Sequence, residues 1–410
     1  MATLKPFQAF RYSPKAGDPA TLVTQPYDKI NPAMQAAYLA ASPYNLVRII
    51  LGEKHASDND RESVYTRAAG HLEDWIREGI LAQDAVPGFY AYFQEFTVPD
   101  SGERLTRKGF IGLGKIEDYS AGVVFRHEQT LSGPKKDRLE LLRHTRAHFG
   151  QIFMLYPDRE GAVDRELEQA VHGAPSLDVT DEYGARHRVW PVTDAARVAR
   201  IQELMAQQKL LIADGHHRYE TALAYRNENP NDPAAQLVMM TFVNLHSPEL
   251  KILATHRVLR NIENPGALLS KVSASWSVTA FDSVDALKGA LAKAAPDRVR
   301  IGVVLQDRVV LLTRPRGANE MDVPVLHHEI LGAWLGIGEE AVRDEKFITY
   351  VRGMDAAVAE IREKGAQVAF LLEPTPIEQM AQIAFSGGVM PQKSTDFYPK
   401  LLSGVTIYRL

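Results

Sequence analysis

The residue types best suited to chemistry lie together in residues 209–225, which read KLLIADGHHRYETALAY. Residues 210–213 form a short apolar run, which predicts a buried strand. Asp214-Gly215 interrupts that run, and from Tyr219 onward apolar residues recur at helical spacing. The stretch therefore predicts a strand, a tight turn and a helix in immediate succession.

His216, His217 and Arg218 would lie where this strand turns into the helix. A helix N-terminus presents free backbone N–H groups and the positive end of the helix dipole. Two imidazoles and a guanidinium beside these groups make a good anion site, and phosphate is the predicted anion. The alternative is a plain helix start with Asp214 as its cap.

Two carboxylates elsewhere in the chain are candidate general bases. Asp28 stands in the turn Pro26-Tyr27-Asp28, which proline makes rigid, and general-base catalysis requires a fixed geometry. From spacing alone, a routine turn former is the simpler interpretation of Asp28. Glu128 follows His127, and such a pair suits a metal site, a general base or an ordinary structural role.

Further cationic groups lie in the second half of the sequence. Lys393-Ser394-Thr395 supplies an ammonium and hydroxyls after two glycines, the inventory of a phosphate-binding loop without the spacing of a Walker motif. His256-Arg257, predicted at a strand end, is a second His-Arg pair and favours a shared anionic pocket. His327-His328-Glu329 favours a structural role, because two metal ligands from one helix require a spacing of three or four.

Hydrophobic periodicity predicts the elements that must position these groups. Strands and helices alternate with apparent hairpins, which indicates an α/β or α+β fold with a mixed sheet. A composition shift near residue 261 predicts two domains, 1–260 and 261–410, and the tail of the second is expected to return to the active site. The predicted strands are 45–51, 88–99, 108–117, 151–156, 210–213, 236–245, 251–255, 299–305, 308–313 and 367–372, and the predicted helices are 58–79, 135–147, 194–208, 284–294, 327–335 and 376–385.

Composition excludes several classes of protein. The 410 residues carry a formal net charge of −4 and no cysteine. Disulfides, a thiol nucleophile and cysteine-ligated metal are therefore excluded, and a nucleic-acid-coating surface is not expected. No apolar run approaches the ~20 residues that span a bilayer, and no signal-peptide pattern opens the sequence. We expect a cytoplasmic protein with no membrane or nucleic-acid partner.

Five motifs occur in the order found in a known family. PYD, RHEQT followed by DRLELL, DGHHRYETAL, THR and MPQKSTDFYPKLLSG together resemble the bacterial and archaeal family labelled domain of unknown function 1015. Asp-Gly-His-His-Arg also resembles the phosphate-gripping motif of the ParB/sulfiredoxin superfamily, which includes nucleotide-hydrolysing partition proteins and free serine kinases. This resemblance implies a ParB/sulfiredoxin-like core in residues 1–260, with an inserted hairpin, and an additional C-terminal α/β region. Sulfiredoxin activity itself requires a cysteine and is excluded.

The resemblance to the serine kinases implies an Mg²⁺-dependent phosphotransferase that uses ATP or ADP. Serine is the expected acceptor, or phosphoserine the donor in the reverse direction; the oligomeric state stays open. The implied bases are Asp28 or Glu128, with His216 also at the reacting centre, and Tyr27 and His127 as substrate contacts. The resemblance implies that His216, His217 and Arg218 hold phosphates. The chemistry of the residues adds further expected nucleotide and phosphate contacts, which are Asp214, Gly215, His256, Arg257, Lys393, Ser394 and Thr395, with Glu128 and Asp214 for Mg²⁺. Alternatives are a nucleotide-binding switch protein of the ParB type and a metal-dependent phosphatase.

Overall fold

The structure is a computed structural model that describes residues 2–99, 101–128, 133–263, 265–272, 275–318 and 320–410. Gln129 and Thr130 of the RHEQT motif, and Asp100 of the predicted hairpin turn, lie outside the described residues. The described fold is mixed α/β with a mixed sheet, as the sequence predicts.

The strands and helices alternate along the described chain. In chain order the strands are β1 Leu4–Lys5, β2 Phe10–Tyr12, β3 Leu81–Gln83, β4 Phe89–Thr97, β5 Arg104–Lys115, β6 Val124–Phe125, β7 Ala147–His148, β8 Ile152–Tyr156, β9 Leu177–Thr180, β10 Arg186–Val192, β11 Leu210–Asp214, β12 Leu237–Asn244, β13 Lys251–Leu253, β14 Thr255–Leu259, β15 Ser277–Phe281, β16 Arg298–Val304, β17 Val309–Pro315, β18 Ile348–Arg352, β19 Val368–Leu371, β20 Asp396–Tyr398 and β21 Tyr408–Arg409. The α-helices are α1 Pro32–Ala41, α2 Val47–Ile50, α3 Val64–Arg77, α4 Gly133–Thr145, α5 Ala162–Ala170, α6 Ala195–Ala206, α7 His216–Glu228, α8 Val284–Leu291, α9 Asp322–Val325, α10 Glu339–Arg343, α11 Met354–Arg362 and α12 Ile377–Phe385, and Leu326–Trp334 is a π-helix.

The described residues form two compact units. The first contains those of Met1–Arg126, Thr130–Lys251 and Pro399–Leu410, and the second those of His127–Gln129 and Ile252–Tyr398. The chain thus leaves the first unit after Lys251, earlier than the predicted boundary at 260/261, because β14 already pairs with β18 and β19 of the second unit. The last segment, Pro399–Leu410, belongs to the first unit.

In the first unit, the described strands form a sheet in the order β6-β11-β8-β12-β5-β4-β10-β9, with β1 on β5. β11 is parallel to β6 and β12 is parallel to β8, while the other pairs are antiparallel. Strand β11 and helix α7 belong to one apolar cluster, in which Ile212 of β11 is buried together with Tyr219 and Ala222 of α7. This burial holds the start of α7 against the sheet.

The second unit contains a sheet of described strands in the order β15-β17-β16-β19-β14-β18. Strands β16, β19 and β14 are central in this sheet. Side chains on the two faces of the sheet belong to two different apolar clusters. Val303 and Phe370 belong to one cluster, and Val304 and Ala369 to the other. A sheet covered on both faces explains why β19 and residues 301–304 of β16 carry no polar side chain.

Local patterns explain where most predicted elements begin and end. Within the predicted helix 58–79, α3 begins after Ser63, whose side chain and that of Thr66 form a reciprocal capping box. Its buried face holds Ala68, Leu72 and Trp75, three of the positions that periodicity selects. Four predicted helices and eight predicted strands are confirmed within a few residues. The helices are 135–147, 194–208, 284–294 and 376–385, and the strands are 88–99, 108–117, 151–156, 210–213, 236–245, 299–305, 308–313 and 367–372.

One sequence prediction about secondary structure is wrong, and one predicted strand ends earlier than expected. Residues 45–51 are not a strand: Asn45 accepts a hydrogen bond from the N–H of Val47 at 2.9 Å and so favours a helical turn, α2. The strand predicted at 251–255 ends at Leu253, and a separate strand, β14, follows it. His256 and Arg257 therefore lie inside a strand rather than at a strand end.

Candidate functional site

The predicted strand–turn–helix junction is present at β11 and α7. Gly215 is the N-cap of α7 with φ 93°, a left-handed conformation that favours glycine, and no side chain caps the helix there. The interpretation of Asp214 as a simple cap is therefore wrong. A Cβ atom at Gly215 would lie 2.7 Å from Nε of Arg218, so a side chain there would displace the guanidinium.

Asp214 lies between two cations. Its Oδ2 accepts a hydrogen bond from Nη2 of Arg218 at 2.8 Å, and its Oδ1 is 3.3 Å from Nζ of Lys400. Burial alone would raise the pKa of Asp214, but the charges of Lys400, Arg218, Lys29 and His216 hold that pKa well below its usual range. Asp214 is therefore a carboxylate that orients two cationic side chains.

Arg218 is a cation with hydrogen-bonding capacity to spare. Burial lowers its pKa, but Asp214 and Asp28 outweigh this effect and raise it, so the guanidinium stays charged. Its Nε is buried and has no hydrogen-bond partner among the described residues. A buried N–H without a partner is costly and commonly marks the place of a water molecule or a ligand.

The predicted Tyr27 and Asp28 belong to the same unit as Arg218. The guanidinium of Arg138 lies 4.3 Å from the ring centre of Tyr27, and burial raises the pKa of the Tyr27 hydroxyl. Asp28 is exposed in the turn Tyr27–Lys29, and its negative charge is close enough to Arg218 to raise the pKa of the guanidinium. The structure therefore brings these predicted residues to the start of α7.

A cavity of about 70 Å³ lies beside these residues in the first unit. A volume of this kind has room for a few water molecules. Its polar lining includes two guanidinium groups, and the rest is mostly apolar. The lining residues are Tyr27, Ile50, Arg138, Leu141, Leu142, Ala147, His148, Phe149, Gly150, Ile152, Arg218, Thr221, Val238 and Ser403.

His216 and His217 occupy the first turn of α7. His216 is buried and His217 is partly buried. His216 is one of the groups that lower the pKa of Asp214. The carbonyl of His217 accepts a hydrogen bond from the Thr221 hydroxyl within the helix. Both imidazoles thus lie at the predicted helix start.

A second group of predicted residues meets within the second unit. Nε2 of His127 lies 2.8 Å from Oγ1 of Thr395, and Oε1 of Glu128 accepts the N–H of Lys393 at 2.8 Å. Nη2 of Arg257 donates to the carbonyl of Lys393 at 2.9 Å. The motifs around 127, 257 and 393 therefore belong to one cluster, although they are far apart in sequence.

Other predicted groups of this second cluster have structural partners. The Ser394 hydroxyl donates to the carbonyl of Pro391 at 2.7 Å. Nδ1 of His256 accepts the N–H of Leu372 at 3.2 Å, and burial lowers the pKa of His256 to about 4. His256 is therefore uncharged at neutral pH. The predicted structural role of His327 is compatible with its position in the π-helix, where burial lowers its pKa to about 3.

The carboxylates predicted to bind Mg²⁺ have other partners in this structure. Both oxygens of Asp214 face cations, and Glu128 binds the backbone of Lys393. Among the described residues, no group of three or more histidine, aspartate or glutamate side chains is arranged to hold a metal. Asp214 does not fit the role of a resident metal ligand, because two neighbouring cations oppose the approach of a third.

The sequence matches a family model described as a protein of unknown function (DUF1015) over residues 4–332. The chain belongs to this family. None of the curated proteins matches it.

Several solved structures resemble this DUF1015 chain at low identity. A conserved hypothetical protein from Pyrococcus furiosus is 12% identical with a TM-score of 0.38, covering 70% of this chain and 91% of its own. A free serine kinase in complex with AMP is 10% identical with a TM-score of 0.36, covering 67% and 83%. SbnI with a C-terminal truncation, from Staphylococcus aureus, is 10% identical with a TM-score of 0.37, covering 71% and 85%. With TM-scores below 0.5, these similarities establish neither the activity nor the site residues of this chain.

Sequence reasoning missed several polar residues of the first unit in this DUF1015 protein. Gln94, Arg107 and His187 are all at most 2% exposed, and the first two hold the backbone next to Lys400. The available signal was a polar side chain within a strand that is otherwise apolar, such as Gln94 in FYAYFQEFT. Which strands are neighbours, and hence which of these polar residues meet, depends on the topology.

No helix in the described part of the chain has the length and the apolar character required to cross a bilayer.

Proposed function

We propose that this protein is a small-molecule phosphotransferase whose phosphate site is the start of α7. The observation that carries the proposal is Arg218, a charged guanidinium with a buried Nε–H that has no partner among the described residues, beside the uncapped N-terminus of α7. Phosphate oxygens would accept from this Nε–H, at the positive end of the helix dipole of α7. The sequence resemblance of Asp-Gly-His-His-Arg to the phosphate motif of free serine kinases supports the same assignment.

The proposed reaction transfers a phosphoryl group between a nucleotide and a small hydroxylated metabolite, with serine as the leading acceptor. The acceptor oxygen forms a bond to the phosphorus of the terminal phosphate, and the bond from that phosphorus to the leaving nucleotide oxygen breaks. The hydroxyl proton passes to a carboxylate. Cations around the phosphate stabilise the charge in the transition state, which is the main contribution of protein groups to this chemistry.

Asp28 is the proposed general base. It is exposed, lies in the same unit as Arg218 and raises the pKa of that guanidinium by its negative charge. Glu128 is the alternative base, although its Oε1 already accepts the N–H of Lys393. Tyr27 is proposed to contact the substrate from the wall of the cavity. Mg²⁺ is proposed to arrive with ATP or ADP, bound to the phosphate oxygens of the nucleotide.

Phosphorus NMR tests this proposal directly. The protein is incubated with Mg²⁺ in three mixtures: serine with ATP, serine with ADP, and phosphoserine with ADP. We expect a new phosphoserine or nucleotide resonance in at least one mixture, and its loss in Arg218→Ala. Arg226→Ala is the matched control, because Arg226 lies on the same helix, pairs with Asp118 at 2.9 Å and is equally exposed, at 15%.

Each other outcome has a defined meaning. Free phosphate released from phosphoserine without any nucleotide would replace the proposal with a phosphatase. Nucleotide binding without transfer in any mixture would favour the switch protein. An Arg218→Ala variant that is unfolded, judged by a thermal melt against Arg226→Ala, would remove Arg218 as the evidence for the site.

A further inference from the structure

A cavity of about 230 Å³ in the second unit combines two carboxylates with an apolar wall. We propose that this cavity binds a small organic amine, with the ammonium group at Glu320 and Glu329 and the hydrocarbon chain against the apolar wall. The volume is below the roughly 300–1,000 Å³ that is typical of pockets for drug-sized ligands, so the expected ligand is small. The inference does not depend on the proposed phosphotransfer.

The two carboxylates line the cavity, whereas the cation that holds them does not. Glu320 and Glu329 are lining residues, and Arg314 is not among them. Nη1 and Nη2 of Arg314 each donate to Glu320 at 2.7 Å, and Nη2 also donates to Oε1 of Glu329 at 2.6 Å. The indole N–H of Trp276 donates to Oε2 of Glu329 at 2.9 Å. Arg314 and Trp276 thus fix the two carboxylates, and a ligand in the cavity meets the negative charge.

One guanidinium cannot balance both carboxylates. Its hydrogen bonds lower the pKa of Glu320, which is therefore ionised at neutral pH. Two neighbouring guanidinium groups have carboxylate partners of their own, since Arg316 pairs with Asp322 at 2.8 Å and Arg300 with Glu373 at 2.6 Å. Four carboxylates thus face three guanidinium groups among the described residues. A half-buried excess of one negative charge favours the binding of a cation.

Glu329 can accept further hydrogen bonds from a ligand. A carboxylate offers about four acceptor positions. Among the described residues, Glu329 accepts one hydrogen bond from Arg314 and one from Trp276, and its side chain is 38% exposed. About half of its acceptor positions are therefore available to a donor in the cavity. An ammonium group matches them, because it has three N–H donors and no acceptor.

Apart from His328, the rest of the lining is apolar. The apolar lining residues are Met321, Pro324, Val325, Ile383, Val389 and Met390. Met321, Val325 and Met390 are buried, whereas Val389 is 37% exposed. A hydrocarbon chain would cover this wall, and methionine side chains adapt readily to its shape.

A metal ion fits this lining less well than an organic cation does. A metal ion would leave the apolar wall uncovered. Among the residues that the structure describes, no three histidine, aspartate or glutamate side chains are arranged to hold a metal. The combination of carboxylates and apolar side chains therefore points to an amine that carries an alkyl chain.

A pair of ligands of similar shape tests the site in the full-length protein. Ligand-observed NMR titrations compare n-pentylamine with pentan-1-ol at pH 8, where alkylamines are charged and which is above the ordinary titration range of histidine. We expect n-pentylamine to bind at least about tenfold more tightly, because only the amine forms a charge-assisted hydrogen bond. From ethylamine to n-pentylamine, affinity should rise by about fourfold per methylene group until the cavity is filled.

Glu329→Gln tests the carboxylate. This substitution keeps one side-chain oxygen as an acceptor and removes the excess negative charge. We expect it to weaken n-pentylamine binding by about tenfold and to leave pentan-1-ol binding almost unchanged. Glu378→Gln is the matched control, because Glu378 on α12 also carries a negative charge in the second unit but is exposed and does not line the cavity. If Glu329→Gln does not fold, the comparison of amine and alcohol in wild type decides.

Three results would overturn the inference. They are equal affinity of wild type for n-pentylamine and pentan-1-ol, equal affinity of wild type and Glu329→Gln for n-pentylamine, and an equal loss in Glu329→Gln and Glu378→Gln. Wild type that does not bind n-pentylamine would overturn it as well. Amine binding that depends on Glu329, without phosphotransfer in any mixture, would support this inference and refute the phosphotransferase.

Discussion

At the scale of single residues, Asp214 has the most informative environment. Its pKa is well below the usual range because of Lys400 and Arg218. The folded state therefore keeps Asp214 deprotonated at a pH where the unfolded chain already binds the proton. Its contribution to the free energy of unfolding is complete above about pH 5 and decreases as the pH falls below about 4.

Asp214→Asn should reveal this contribution. We expect a melting temperature clearly below that of wild type at pH 7, because two buried cations lose their carboxylate. The difference should narrow at pH 3.5, where protonation of Asp214 in the unfolded chain removes part of the advantage of wild type. Scanning calorimetry at both pH values measures it, with the exposed Asp60→Asn as control. A difference that is unchanged or larger at pH 3.5 would contradict the assigned role.

Single substitutions also decide which of the two carboxylates, Asp28 or Glu128, is the general base. Asp28→Asn should lower the rate of phosphotransfer by about 10²–10⁴-fold, the usual contribution of a general base, with little change in the melting temperature because Asp28 is exposed. Glu128→Gln should leave the rate within a few-fold of wild type. The reverse pattern in steady-state kinetics would transfer the role to Glu128.

At the scale of elements, the turn at Gly215 sets the position of Arg218. Gly215→Ala forces alanine to φ 93° and places its Cβ 2.7 Å from Nε of Arg218. We expect a loss of about 1–2 kcal/mol in the free energy of unfolding, together with weaker phosphate binding. Chemical denaturation and calorimetry measure both effects.

The matched control for that substitution is Gly70→Ala. Gly70 lies inside α3 and is exposed, with no atom within 4 Å of the place of its Cβ. Alanine there should stabilise the protein by about 0.4–1 kcal/mol, because it restricts the unfolded chain and favours the helix. Equal effects of the two substitutions would show that the turn at Gly215 has no special constraint.

The elements also show what the sequence alone could predict. The apolar run of β11, the break at Gly215 and the periodicity of α7 are local signals, so this part of the site is predictable from its own residues. The strand prediction for residues 45–51 is wrong because a buried helical turn and a buried strand are equally apolar over so short a length. The row of Gln94, Arg107 and His187 depends on which strands pair, and no local pattern contains that information.

At the scale of the whole molecule, Ile252–Tyr398 forms the larger part of the second unit, with its own sheet and two apolar clusters. We expect a fragment of residues 252–398 to fold alone, because a unit with its own core generally can. Circular dichroism should show mixed helix and strand and a cooperative thermal transition. A fragment without a cooperative transition would show that its core requires the rest of the chain.

Because Pro399–Leu410 belongs to the first unit, the order of synthesis differs from the order of completion. A ribosome makes residues 1–251 first, then most of the second unit, and adds Lys400 after both. Domains generally fold as units while the chain is being made. Here the first unit lacks the cation opposite Asp214 until Pro399–Leu410 has been made, so a chain that stops before Pro399 carries the Asp-Gly-His-His-Arg motif without Lys400.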